Sequence, residues 1–138
     1  MFLQNCPPVN ENLWRGRRVF LTGHTGFKGS WLSLWLSQWG ALVHGYALDP
    51  ITTPSLFESL ELKLAADRRA DLSDLTALRE AVRMADPEVV FHLAAQPLVR
   101  ESYADPVGTF ATNVLGTAHL LDSLRGLRLF NSIVMATT

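Results

Sequence analysis

Thr22-Gly-His-Thr-Gly-Phe-Lys-Gly29 is the stretch on which the reading of this chain turns. The apolar run Val19-Phe-Leu21 precedes it and an amphipathic segment from Ser30 to Gln38 follows, so the glycines stand between a buried parallel strand and a helix. In that setting each glycine has a physical task. Gly23 permits the tight turn, Gly26 lets the backbone approach a pyrophosphate, and Gly29 lets helix and strand pack closely. The helix N-terminus offers the phosphates free N–H groups and the positive end of its dipole. Glycines alone also suit a plain strand-turn-helix corner; the flanking pattern is what points to a nucleotide site.

Outward from this loop, composition sets bounds. The 138 residues, 48% of them hydrophobic, suffice for one α/β core and fall short of two ordinary domains. A formal net charge of -1, with no block of Lys or Arg, argues against a nucleic-acid partner. Cys6 is the only cysteine, which excludes an internal disulfide and fits a reducing compartment. The apolar stretches are too short for a membrane span, and the N-terminus lacks a basic segment followed by an apolar one, so the expectation is a cytoplasmic, soluble protein. Residues 1–13, with Pro7-Pro8 and several Asn, read as a polar leader, and 14–138 as the dinucleotide-binding domain.

From Trp14 onward strand-like and helix-like segments alternate, which predicts a Rossmann-type, doubly wound parallel α/β sheet. Strands are expected near Arg18-Thr22, Ala41-Ala47, Asp67-Asp71, Glu88-Leu93 and Ser132-Ala136, in the order 3-2-1-4-5 and without a sixth. The first helix is expected to bury Trp31, Leu32, Trp35, Leu36 and Trp39 and to expose Ser30, Ser33 and Ser37. Ser73 is the expected N-cap of a helix carrying Leu75, Leu78, Val82 and Ala85, which stops at Asp86-Pro87. A longer helix follows, with Phe110, Val114, Thr117, Leu121 and Leu124 as its expected buried face and Gly126 past its end.

In such a sheet ligands bind beyond the carboxyl ends of the strands where strand order reverses, here between the first and fourth strands. That brings the glycine loop to His92-Leu-Ala-Ala-Gln96. Small Ala94 and Ala95 let a cofactor ribose lie near the backbone, or pack under the next helix. His92 reads first as a hydrogen-bonded core residue, and His24, His44, His92 and His119 have no metal-ligand spacing. The rule for NAD asks for an acid about twenty positions past the glycines; Asp49 fits, unless its strand ends near Ala47 and leaves it in a loop. Asp71-Leu72 closes the third strand, where a carboxylate meets the adenine amino group or starts the next helix. Lys28 is unfavourable at a helix N-terminus unless an anion is bound there. Asn113 is a poor helix former in mid-helix, so a hydrogen-bonding task is expected of it. Arg100, Ser102 and Tyr103 face a substrate or belong to a surface turn.

The glycine stretch continued to Leu36, Gly45-Tyr-Ala-Leu-Asp-Pro50, Pro54-Ser-Leu-Phe-Glu58, Phe91-His-Leu-Ala-Ala-Gln-Pro-Leu-Val-Arg100 and Thr112-Asn-Val-Leu-Gly-Thr117 together resemble the extended short-chain dehydrogenase/reductases, in particular their CDP-glucose 4,6-dehydratase subgroup. The resemblance implies a lyase that uses bound NAD catalytically on CDP-glucose. Hydride leaves C4 of the sugar, water is lost across C5 and C6, and the hydride returns to C6. It also implies a product class that feeds deoxysugars of surface polysaccharide. On matching positions Gly23, Thr25, Gly26, Phe27 and Gly29 would hold the pyrophosphate, with Lys28 beside them. Asp71 and Leu72 would hold the adenine end, and Leu93, Ala94, Ala95 and Gln96 the nicotinamide side. Asn113 would lie near the cofactor, and Gln96 and Arg100 near the substrate. The implied partner is a nucleotide sugar, with no nucleic acid, no membrane, and a homo-oligomer open to a full-length form. In the family the fifth strand runs into Thr or Ser-Asp-Lys and then Tyr-x-x-x-Lys, whereas this sequence ends at Ala136-Thr-Thr138. The expectation is therefore a cofactor-binding portion in which Thr138 matches the hydroxyl donor and turnover is lacking. Two alternatives stay open: another sugar-nucleotide epimerase or dehydratase, and a non-catalytic dinucleotide-binding module.

Overall fold

The structure, a computed structural model, describes residues 10–136. Five strands, β1 (Arg18–Thr22), β2 (Leu42–Ala47), β3 (Ala66–Arg69), β4 (Val89–His92) and β5 (Ser132–Met135), form one sheet in the order β3-β2-β1-β4-β5. Every pairing is parallel. The expected topology is therefore the observed one, with strand ends shifted by two residues or fewer. Alternation along β1 sends Val19 and Leu21 into one core with Leu36 and Val43, and Phe20 into the other with Tyr46, Leu78, Val82, Val90 and Leu120. Helix α1 (Phe27–Gln38) covers the first face, and α3 (Leu75–Ala85) with α6 (Gly116–Ser123) covers the second.

Helix α1 corrects the expected burial. Its inward residues are Gly29, Ser30, Ser33 and Leu36, while Trp31 and Trp35 are 39% and 49% exposed. The cause is separation. A Cβ on Gly29 would overlap the Gly23 carbonyl oxygen, so the start of the helix lies too close to the loop for large side chains. Small residues fill that gap, and the indoles form a row from exposed Trp31 and Trp35 to Trp39 and Trp14, with neighbouring centroids 6.4–6.5 Å apart. Trp39 and Trp14 are half-buried and pack with Leu32 against the core, as expected of Leu32 and Trp39.

Two further expectations shift by small amounts. The N-cap of α3 is Asp74, whose side chain accepts from the Ala77 N–H at 2.9 Å, while the Ser73 N–H donates to Asp71 Oδ1 at 2.7 Å. The long helix is three pieces: α5 (Pro106–Phe110), a π-helical segment (Ala111–Leu115) and α6. Wider i→i+5 turns rotate the residues before them by roughly 100° relative to an ideal helix, so Phe110 and Val114 face out. Gly116, Leu120 and Leu124 face in, because Gly116 lets α6 rest against Leu72. Leu121, expected inside, is 41% exposed. The outward Val107, Phe110, Val114 and Leu115 line a shallow apolar groove of about 450 Å³. Among the described residues, no helix is long and apolar enough to cross a membrane.

Candidate functional site

The carboxyl edge of the sheet collects the loops after β1, β2, β3 and β4. At the centre is Gly23, with φ +76°, whose N–H donates to the Tyr46 carbonyl at 2.9 Å and whose carbonyl accepts from the Gly26 N–H at 3.1 Å. A Cβ there would come within 2.7 Å of the Ala94 nitrogen, so the glycine loop and the loop after β4 touch at the point where strand order reverses. The fold thus requires Gly23 and Gly29. It does not require Gly26, which has φ -75° and ψ 168°, is exposed, and could carry a Cβ whose nearest neighbour is the Gly23 oxygen at 3.4 Å. Gly26 is the N-cap of α1, which has no capping side chain and no acid in its first turn. The first-turn N–H groups of α1 are left without a side-chain acceptor beside an exposed glycine, a cradle of the kind that binds anions.

A continuous polar relay holds the two loops in register. The Ala94 N–H donates to Thr22 Oγ1 at 3.2 Å, and Thr22 Oγ1 lies 2.7 Å from His92 Nδ1. His92 Nε2 lies 2.9 Å from Thr117 Oγ1, which donates to the Asn113 carbonyl at 2.7 Å. Because the Thr117 proton is spent on that carbonyl, its oxygen accepts from His92, which places the imidazole proton on Nε2 and makes Nδ1 the acceptor for Thr22. Burial pushes the His92 pKa below the ordinary histidine value, consistent with this neutral form. Asn113 then clamps the peptide of Gln96, accepting from its N–H at 2.8 Å and donating to its carbonyl at 3.1 Å. The Gln96 side chain folds back on Leu98 and Thr109.

The β2 and β3 ends carry a second cluster. Thr25 Oγ1 donates to the Leu48 carbonyl at 2.9 Å, bringing the glycine loop beside Asp49. β2 ends at Ala47, so Asp49 lies in a loop, where its Oδ1 takes one bond from Arg69 Nη1 at 3.2 Å. Arg69 also grips Asp67 with Nε at 2.6 Å and Nη2 at 2.8 Å, and stands 5.0 Å above the Phe57 ring. His24 is fully buried with Nε2 2.8 Å from Asp67 Oδ1, its ring edge-on to Phe57 and flat against Gly45, where a Cβ would not fit. Burial lowers the His24 pKa, and the Arg69 hydrogen bonds hold the Asp67 carboxyl below its usual range. Phe57 is presented by the short helix α2 (Leu56–Ser59), fixed by a capping box between Ser55 and Glu58.

Of the residues expected at the site, Gly23, Gly29, Leu93 and Ala94 meet at the switch point, Gly26 opens α1 beside them, Thr25 reaches across to Leu48 after β2, and Gln96 is tied to Asn113, Leu98 and Thr109. Phe27 and Lys28 are exposed on the first turn of α1, and Ala95 is exposed in its loop. Asp71 is half-buried, and the Tyr46 hydroxyl donates to its carbonyl at 2.9 Å; burial raises the Tyr46 pKa to about 12. Leu72 is buried under Gly116. Arg100 is exposed on α4 (Val99–Ala104), and Thr138 lies outside the described residues. Thr22, His24, Phe57, Asp67, Arg69 and Thr117 were not singled out from the sequence as site residues. Among the described residues, no group of three or more His, Cys, Asp or Glu forms a metal site.

Known proteins resemble this arrangement. A family model described as GDP-mannose 4,6 dehydratase matches residues 20–138. CDP-glucose 4,6-dehydratase of Salmonella typhimurium is 51% identical over 131 residues, which are 94% of this chain and 36% of that protein. UDP-glucose 4-epimerase from Brucella ovis, solved in complex with NAD, superposes with a TM-score of 0.72 at 26% identity, covering 87% of this chain and 35% of that one. The Thermus thermophilus UDP-glucose 4-epimerase complex with NAD gives 0.69 at 32% identity, covering 88% and 37%. The chain spans about a third or less of the length of the curated relatives it matches.

Proposed function

The chain belongs to the GDP-mannose 4,6 dehydratase family, and from that premise we propose that it is the cofactor-binding portion of an NAD-dependent nucleotide-sugar dehydratase acting on CDP-glucose. The observation that carries the reading is Gly26: an exposed N-cap in a conformation open to any residue, with room for a side chain, at the uncapped start of α1. A packing role accounts for Gly23 and Gly29; Gly26, beyond a modest N-cap preference, is left without a reason of that strength. A pyrophosphate resting on the first-turn N–H groups supplies one. The 51% identity to a CDP-glucose enzyme supports the choice of sugar nucleotide.

NAD, when bound, supplies a reversible hydride acceptor. The chain's own residues bind and orient. Gly26 and the N–H groups of Phe27 and Gly29 meet the pyrophosphate, with Lys28 beside it, while Thr25 holds the loop against Leu48. Asp49 accepts from the adenosine ribose, and Asp71 and Leu72 bound the adenine end. Leu93, Ala94, Ala95 and Gln96 line the nicotinamide side. Asn113 acts through Gln96, because both of its polar side-chain atoms are spent on that peptide. Arg100 faces the sugar nucleotide, the Gln96 side chain being spent on Leu98 and Thr109, and Thr138 is the hydroxyl donor.

Calorimetric titration tests the cofactor: a one-site isotherm with NAD is expected, and neither heat nor thermal stabilisation at saturating NAD would overturn the reading. Competition between CDP-glucose and GDP-mannose for the NAD-loaded protein tests the substrate; tighter binding of GDP-mannose would reassign it.

A further inference from the structure

We infer that Thr109 and Thr117 are positioning residues which, with Asn113 between them, form a three-rung polar ladder that fixes the nicotinamide-side loop. The inference rests on the dinucleotide reading above and deepens it. Thr109, Asn113 and Thr117 are half-buried at four-residue spacing along the helix, among exposed Phe110, Val114 and Leu115. All three bond to one short stretch, His92 to Gln96, which leads from β4 into the site.

Both threonines use the same device. Thr109 Oγ1 donates to the Asp105 carbonyl at 2.9 Å and Thr117 Oγ1 to the Asn113 carbonyl at 2.7 Å, each four residues back. A hydroxyl has one proton, so each oxygen is left as an acceptor that needs a donor from the facing loop. Gln96 Nε2 donates to Thr109 at 3.0 Å, and His92 Nε2 to Thr117 at 2.9 Å. Asn113 fills the middle rung by taking both polar groups of the Gln96 peptide. With the Ala94 N–H spent on Thr22 Oγ1, the loop is held from both sides. The helix is shaped to this alignment. On an ideal α-helix, residues four apart drift by about 40° per step, so three in a row splay by about 80°. The π-helical Ala111–Leu115, in which the Gly116 N–H reaches back five residues to the Ala111 carbonyl, takes up that drift in the middle of the ladder.

The test titrates NAD and ADP-ribose, which lacks the nicotinamide, into the original chain, Thr117→Val and Thr117→Ser. Valine keeps the shape and removes the hydroxyl; serine keeps the hydroxyl. Thr117→Val should weaken NAD about fivefold or more relative to ADP-ribose, and Thr117→Ser should keep the original ratio. A general loss of stability lowers both affinities together, so an equal loss overturns the inference. So does no loss, or a ratio that stays shifted in Thr117→Ser. If Thr117→Val fails to fold, Thr109→Val and Thr109→Ser on α5, which buries no residue, replace the pair with the same expected and overturning results. Binding of neither ligand by the original chain overturns the dinucleotide reading instead. Amide exchange at Gln96 then decides the inference: exchange about tenfold or more faster in the valine variant and restored in the serine variant supports it, and unchanged exchange overturns it.

Discussion

Replacing Gly26 with alanine separates a ligand requirement from a folding requirement within one loop. The added Cβ meets nothing nearer than the Gly23 oxygen at 3.4 Å, and φ -75° with ψ 168° is ordinary extended backbone, so no strain is introduced. Alanine is a poorer N-cap than glycine, which costs roughly 1 kcal/mol or less, a melting shift of about 5 °C or less. Gly29→Ala adds the same methyl where it would overlap the Gly23 carbonyl, so the start of α1 must move and the loss should be several-fold larger, roughly 2–3 kcal/mol. For binding the expectation runs the other way at Gly26. A methyl in the cradle holds the phosphates off the N–H groups, and the loss of about 1.4 kcal/mol or more raises the Kd for NAD about tenfold or more. Urea unfolding and calorimetric titration of the same preparations read both quantities. Gly26→Ala that binds NAD as tightly as the original chain, or that unfolds as readily as Gly29→Ala, would refute the argument.

Three other substitutions or conditions probe the frame around the cradle. Ser33 Oγ is buried without a hydrogen-bond partner among the described residues, so Ser33→Ala should stabilise the chain by roughly 0.5–1 kcal/mol; a lower urea midpoint would show that the hydroxyl is satisfied. Asn113→Ala strips two bonds from the Gln96 peptide and should cost roughly 1–3 kcal/mol and speed amide exchange at Gln96, whereas unchanged exchange would show that the loop holds itself. His24, His44 and His92 are all lowered by burial, so the unfolded chain takes up protons that the folded chain refuses. Their contribution is present above the unfolded value of about 6.5 and is lost as pH falls toward the folded values, so the urea midpoint should be lower at about pH 5.5 than at about pH 7.5; equal midpoints would contradict this.

The sheet was legible because β1, β2, β4 and β5 carry β-branched or aromatic residues in short, largely apolar runs; β3, Ala66-Asp-Arg-Arg69, has neither, and only its place in the strand-helix alternation marks it. Helix faces were less so, for two different reasons. In α1 a hydrophobicity ranking puts tryptophan inside and serine outside. The distance set by Gly29 against Gly23 decides otherwise, because an indole does not fit where a methylene and a hydroxyl do. In the long helix, a π segment with no local sequence signature changes the phase, so a stripe extrapolated from Leu124 back to Phe110 ends on the solvent side. The cap at Asp74 instead of Ser73 is a contest between neighbours that both cap well, and Asp71 settles it by taking the Ser73 N–H.

At the site, what could be read locally was backbone, and what could not was partnership. Counting from the glycines reaches Asp49 as an isolated carboxylate. In the fold it is half of an ion pair whose other half, Arg69, comes from a strand that meets β2 only through the sheet. The segment Pro54-Ser-Leu-Phe-Glu58 shows the same limit. As a motif it marks a resemblance; as structure it is a capped turn that sets Phe57 beneath Arg69 and against His24. A substitution such as Phe57→Ala is therefore an electrostatic change as much as a packing one, since Arg69 would lose the surface that keeps its fork level with Asp67 and Asp49. The chemistry of this edge belongs to the three-strand junction, and no single segment of the sequence contains it.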